Sequence, residues 1–136
     1  NGEIGFNTHT VFMKTIKALG TDEQIAKWMP LAMDYKILGS YAQTELGHGT
    51  YLRGLETTAT FDPTTQEFII DTPQITATKW WPGDYNTSCN LFSGISVGDI
   101  GPKMAFENVD NGYLIMRNIR IPKENMLSRY SQVPLY

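Results

Sequence analysis

Apolar positions recur at helical spacing through the first third of the chain. Ile4, Val11, Phe12, Ile16 and Leu19 form one stripe, as an amphipathic helix requires. Gly20 breaks the pattern. Thr21-Asp22-Glu23-Gln24 then reads as a capping box: the Thr21 hydroxyl accepts from the Gln24 amide and the Gln24 side chain returns to Thr21. Ile25, Trp28 and Met29 supply the next apolar face, and Pro30 is expected to end that helix or to start a short turn. Together these segments predict a helical hairpin that buries its stripe.

The pattern changes at about Lys36. The apolar run Ile37-Leu38-Gly39-Ser40-Tyr41-Ala42 predicts a buried strand. Thr57 to Phe61 is β-branched and alternating, Asp62-Pro63-Thr64-Thr65 is turn chemistry, and Phe68-Ile69-Ile70 follows, which predicts a hairpin. Ile75 to Trp81 reads as a further strand stopped by Pro82-Gly83. Tyr113 to Ile121 alternates with period two and predicts one strand that ends at Pro122. Two helices ahead of an antiparallel sheet make an α+β chain.

Length and charge narrow the classes. The 136 residues suit one globular domain rather than two. The net charge is −3, with no basic stripe, so nucleic-acid binding has no electrostatic footprint. No apolar run approaches the ~20 residues of a membrane-spanning helix. A single cysteine, Cys89, excludes an internal disulfide and makes a reducing compartment the default. Both ends read as interruptions of a longer chain, since neither carries a signal or address sequence.

Candidate chemistry concentrates in two places. Tyr41-Ala42-Gln43-Thr44-Glu45-Leu46-Gly47-His48-Gly49-Thr50 carries glycines that admit close backbone approach and hydroxyls that donate. That combination suits a polar ring edge or a pyrophosphate, but it equally suits an ordinary glycine-containing loop. It is neither a P-loop nor a dinucleotide fingerprint. In Thr78-Lys79-Trp80-Trp81-Pro82-Gly83, alternation puts one tryptophan on each face of a strand, where one could lie on a flat cofactor or both could pack in the core. His9 and His48 lack the spaced carboxylates or thiolates of a metal site, and no metal is expected. Cys89 has no neighbouring base to activate it, and the methionines read as core packing.

Longer blocks carry a family likeness. Tyr41 to Thr50, Arg53 to Thr60, Lys79 to Gly83, Gly98 to Met104, Asp110 to Tyr113 and Ile121 to Leu127 together resemble the peroxisomal acyl-CoA oxidases, of the acyl-CoA dehydrogenase and oxidase superfamily. The likeness covers nearly the whole chain and fits straight-chain and branched-chain or bile-acid-intermediate oxidases alike.

The resemblance implies a domain plan: residues 1–35 close an N-terminal helical domain, and residues 36–136 form a middle antiparallel β-barrel or sandwich domain that contacts FAD. It implies that Gln43 and Thr44 sit beside the isoalloxazine ring, that Thr50 lies near the pyrophosphate, that Trp81 is the flavin-side tryptophan, and that Gly83 approaches the ring. Glycine stands there where the dehydrogenases carry threonine, which leaves oxygen more room and argues for an oxidase over a dehydrogenase. The implied activity is oxidation of a fatty acyl-CoA to trans-2-enoyl-CoA, with O₂ as acceptor and H₂O₂ as product, in a peroxisomal homodimer. The family's catalytic base is a glutamate of the C-terminal helices, so no catalytic residue is expected in this chain, and Glu45 is assigned to loop structure. Between residues 84 and 95 the chain is shorter than the oxidases by about three strands. The alternative is therefore a non-enzymatic truncated or splice form, at most a flavin or acyl-CoA binding or interaction module.

Overall fold

The computed structural model describes residues 6–82, 93–105 and 109–133. Over these described residues it is α+β, with two α-helices and two small antiparallel sheets. The chain divides into two compact units, one of residues 1–41 with 124–136 and one of residues 42–123.

In the first unit, α1 (Phe6–Leu19) and α2 (Asp22–Met33) form the expected hairpin. The capping box is present: Gln24 N–H donates to the Thr21 hydroxyl at 3.2 Å, and Thr21 N–H donates to Gln24 Oε1 at 3.0 Å. Gln24 does more than cap. Its amide nitrogen donates to the carbonyls of Glu124 and Met126, and its Oε1 accepts from Ser128 N–H. Arg129 completes the tie, with N–H to Leu19 O, Nε to Gly20 O and a guanidinium nitrogen to Asp22.

Two details of the helices differ from expectation. Ile16 is buried, but Val11 and Leu19 are exposed. The buried face instead runs through His9, which is 4% exposed and lies between the rings of Phe12 and Tyr35. His9 Nε2 donates to Ala32 O at 2.9 Å, and Nδ1 accepts from Gly39 N–H at 3.4 Å, so a polar residue holds the two helices and the following segment together. Pro30 does not end α2; it lies inside it. A proline there leaves the carbonyl of Ala26 without its donor, and Ala26 and Pro30 are both on the exposed face, where water can serve that carbonyl.

The expected strand over 37–42 is absent. Lys36 and Ile37 donate to Leu31 O as the chain leaves the helix, and Leu38 and Tyr41 are exposed. A Cβ on Gly39 would fall 2.4 Å from the Phe12 ring, so this segment packs on α1 instead of pairing.

The second unit begins its sheets with the expected hairpin, β1 (Thr58–Asp62) and β2 (Glu67–Asp71), with Phe61 opposite Phe68. β6 (Ile119–Pro122) covers the other edge of β2 and sets Ile121 against Phe68. The second sheet runs β3 (Lys79–Trp80), β5 (Gly112–Met116), β4 (Ile95–Asp99). Only two residues of the strand expected over 75–81 are extended in the sheet. Ile75–Ala77 is a single 3-10 turn, and Ile75 is exposed.

The strand expected over 113–121 is split. Alternation reports extended backbone and not which sheet a strand joins, and the chain changes sheets at Arg117-Asn118. Asn118 has φ +51°, a left-handed conformation asparagine tolerates better than most residues. Its N–H is held by Asp71 Oδ1, and Arg117 N–H by Gly94 O. Thr72, fully buried, ties β2 to β5 through its N–H to Met116 O and its hydroxyl from Met116 N–H, and the Arg117 guanidinium reaches its carbonyl.

Candidate flavin-facing loop

Residues 42–50 are fastened along β3 by backbone bonds. Trp80 N–H donates to Thr44 O at 2.9 Å, Leu46 N–H to Thr78 O at 2.8 Å, and Gly47 N–H to Thr76 O at 2.9 Å. Glu45 and His48 exchange both backbone bonds at 3.1 Å, which closes a tight turn at Leu46-Gly47. A Cβ on Gly47 would come within 2.9 Å of the Thr76 side chain, so that position requires glycine. Gly49 faces open space, and Thr50 is exposed at the far end of the turn.

Glu45 is the anchor. It is 2% exposed, and its carboxylate accepts from Glu56 N–H at 2.7 Å, Thr57 N–H at 2.9 Å and Lys79 Nζ at 3.0 Å. Burial alone would raise its pKa. The Thr57 hydroxyl, the two backbone N–H groups and the Lys79 ammonium outweigh that and hold it at about 2. Lys79, itself 8% exposed, also donates to Gln43 O at 3.3 Å. Nearby, Glu56 accepts from the Thr76 hydroxyl and pairs with His48 Nε2 at 3.6 Å. Enclosed in this way, Glu45 ties the loop to residues 56, 57 and 79.

Gln43 and Thr44 therefore lie directly beside Lys79 and Trp80. Among the described residues, neither the Thr44 N–H nor its hydroxyl has a hydrogen-bond partner. Trp81 follows at φ +79°, half-exposed, a conformation that is strained for a bulky residue. Asn111 Nδ2 donates to Trp81 O at 2.8 Å and Gly112 N–H to Pro82 O at 2.7 Å, and these bonds hold the turn. The strand thus ends at Trp80, before alternation can set the two tryptophans on opposite faces. Gly83 and Cys89 lie outside the described residues. Lys79 and Asn111 were not singled out by the sequence. The signals for Lys79 were a lone cation in the run Ala77-Thr78-Lys79-Trp80-Trp81 and its place at the head of the family-like block Lys79 to Gly83.

Among the described residues no three His, Cys, Asp or Glu side chains gather as metal ligands, and no helix is long and apolar enough to cross a membrane.

The family model for the acyl-coenzyme A oxidase N-terminal region matches residues 2–38. The rabbit (Oryctolagus cuniculus) peroxisomal acyl-coenzyme A oxidase 2 is 44% identical over 164 residues, covering 98% of this chain. The chain corresponds to a segment of the acyl-CoA oxidases. Rat (Rattus norvegicus) peroxisomal acyl-coenzyme A oxidase 1 is 45% identical over 161 residues and 96% of the chain. In each case the chain spans 24% of the relative's length. Both alignments are longer than the chain's own 136 residues, so these oxidases carry residues that have no counterpart here. Among solved acyl-CoA oxidases, Arabidopsis thaliana acyl-CoA oxidase 1 superposes with TM-score 0.87 at 41% identity, over 94% of this chain and 25% of that one. Caenorhabditis elegans acyl-CoA oxidase-2, solved with FAD, ascaroside-CoA and ATP, gives TM-score 0.87 at 42% identity, over 95% of this chain and 24% of its own.

Proposed function

We propose that this chain is the flavin-facing part of an FAD-dependent acyl-CoA oxidase that converts fatty acyl-CoA to trans-2-enoyl-CoA in peroxisomal β-oxidation. The observation that carries this reading is the Gln43–Thr44 segment. Both of its carbonyls are bound by β3, while the Thr44 N–H and hydroxyl have no partner among the described residues. Those two donors suit the polar edge of an isoalloxazine ring. The C. elegans relative solved with FAD and ascaroside-CoA supports the same chemistry.

Bound here, FAD would supply the hydride acceptance and the onward electron transfer to O₂ that the oxidation needs. This chain's residues supply placement. Thr44 donates to the ring edge, with Gln43 beside it. Trp81, in its strained turn, would face the flavin, and glycine at position 83, having no side chain, would leave room for ring and oxygen. Thr50, exposed beside the open Gly49, donates to the pyrophosphate. No residue here abstracts the α-proton.

In this reading residues 1–35 close a helical domain and residues 36–136 form the middle β-domain, a barrel or sandwich shortened between 84 and 95, in a protein that works as a homodimer. The excess length of the alignments favours a second reading, a flavin or acyl-CoA binding module without turnover. In neither reading does this chain alone turn over, and H₂O₂ release from it on palmitoyl-CoA, above a flavin-only blank, would contradict both. The flavin assignment itself is tested by Gly83→Trp, which fills the space the ring needs. The variant is expected to purify without flavin, and wild-type flavin stoichiometry in it would refute the assignment.

A further inference from the structure

The Glu45–Lys79 pair is not explained by stability. Taking two charges out of water costs several kcal/mol per ion, and apolar replacements of similar volume are often as stable or more so. What the pair supplies here is direction. Lys79 Nζ binds Glu45 Oε1 at 3.0 Å and Gln43 O at 3.3 Å. The Gln43 carbonyl and the Thr44 N–H belong to one planar trans peptide, so they point in opposite directions. Drawing the carbonyl toward Lys79 turns the Thr44 N–H away from β3. Trp80 N–H fixes the next carbonyl at 2.9 Å, and a flip of the Gln43–Thr44 peptide would break the Lys79 bond. A cation on the carbonyl oxygen also polarises the amide and strengthens its N–H as a donor. Glu45 keeps the ammonium in place, and is in turn held by Glu56 and Thr57.

We infer that Lys79, locked by Glu45, is a positioning residue that aims and polarises the Thr44 N–H toward the flavin. This rests on the flavin-facing reading proposed above. Coupling between sites is reciprocal, so FAD should in turn tighten the Glu45 clamp.

The test compares the wild type with Glu45→Gln/Lys79→Met, which removes both charges and leaves none buried alone, and with Lys79→Arg, which keeps the cation. The double variant is expected to fold but to bind FAD about tenfold more weakly, with a more negative flavin reduction potential and a shifted visible band. Lys79→Arg should recover most of each. A double variant with FAD affinity within about twofold of wild type and an unchanged potential and spectrum overturns the inference while leaving the flavin site standing. A wild type that takes up no FAD overturns the flavin reading and this inference with it. Hydrogen exchange on the unmutated protein is independent of how the variants fold. The Thr44, Glu56 and Thr57 amides should slow on addition of FAD while Ile69 of the hairpin does not, and unchanged exchange at all three contradicts the inference.

Discussion

Among the described residues of the β unit, two groups of ion pairs to lysine or arginine are built from the same side-chain chemistry. In one, Lys79 meets Glu45 with 10% and 0% of their side chains exposed. In the other, Arg120 on β6 meets Asp62 and Glu67 across the β1–β2 hairpin, with 47%, 23% and 31% exposed. Contact distances hardly distinguish them, at 3.0 Å in the first and 3.1 and 3.0 Å in the second. Solvent does. Arg120 and its partners are hydrated whether or not they touch, so their pairing exchanges one set of contacts for another. Glu45 and Lys79 have given up water and depend on each other and on the backbone around them. The first group belongs to a loop that must hold one shape, and the second merely decorates a hairpin.

Removing one partner separates the groups most sharply. Lys79→Met leaves the Glu45 carboxylate buried without its cation and should cost about 3–5 kcal/mol in chemical denaturation. Adding Glu45→Gln should recover most of that loss, a strong non-additivity. A loss from Lys79→Met below about 1 kcal/mol would erase the contrast.

Acid gives the next largest effect. Glu45 is held at about 2 in the folded chain and titrates near 4.3 when unfolded. Its folded pKa is depressed, so its contribution is complete above the unfolded value and is lost as pH falls through the folded one. Stability should fall by about 3 kcal/mol as the pH drops from roughly 5 to 1, and Glu45→Gln/Lys79→Met should flatten that part of the acid-unfolding curve. An equal slope in both proteins would show that other carboxylates set it.

A neutral partner tests the same contrast more gently. Thr57→Val removes the hydroxyl that serves Glu45 and reaches Ala77 O at 3.3 Å, and should cost about 1 kcal/mol. Thr65→Val, which removes a hydroxyl from the Arg120 group, should leave the denaturation midpoint where it is. The smallest effect belongs to Arg120→Met. It should shift the midpoint little, and the shift should shrink further in 1 M salt, where screening is nearly complete beyond about 3 Å.

How far the sequence revealed this arrangement depends on the range of each interaction. The capping box at Thr21–Gln24 and the hairpin around Asp62-Pro63 are local, and both were legible; the Asp62 carboxylate takes the Thr64 N–H at 3.0 Å in that turn. The helical face was misread because a histidine occupies an apolar-face position, and only a carbonyl on another helix, Ala32 O, makes that burial tolerable. The single strand read over 113–121 became β5 and β6 because alternation does not record that Asn118 turns left-handed. The motif from Gln43 to Thr50 stands out in the sequence through the family likeness. The role of Lys79 does not, since its two partners lie 34 and 36 residues away and nothing in its own surroundings marks it as buried.

The central claim is that Thr44 faces the flavin. It is tested most directly by the amide resonance of Thr44 in ¹⁵N-labelled protein titrated with FAD. The account predicts a saturable downfield shift of that resonance, in step with quenching of flavin fluorescence, while the Ile69 amide in the hairpin stays still. Flavin binding that moves other amides and leaves Thr44 unchanged would contradict it.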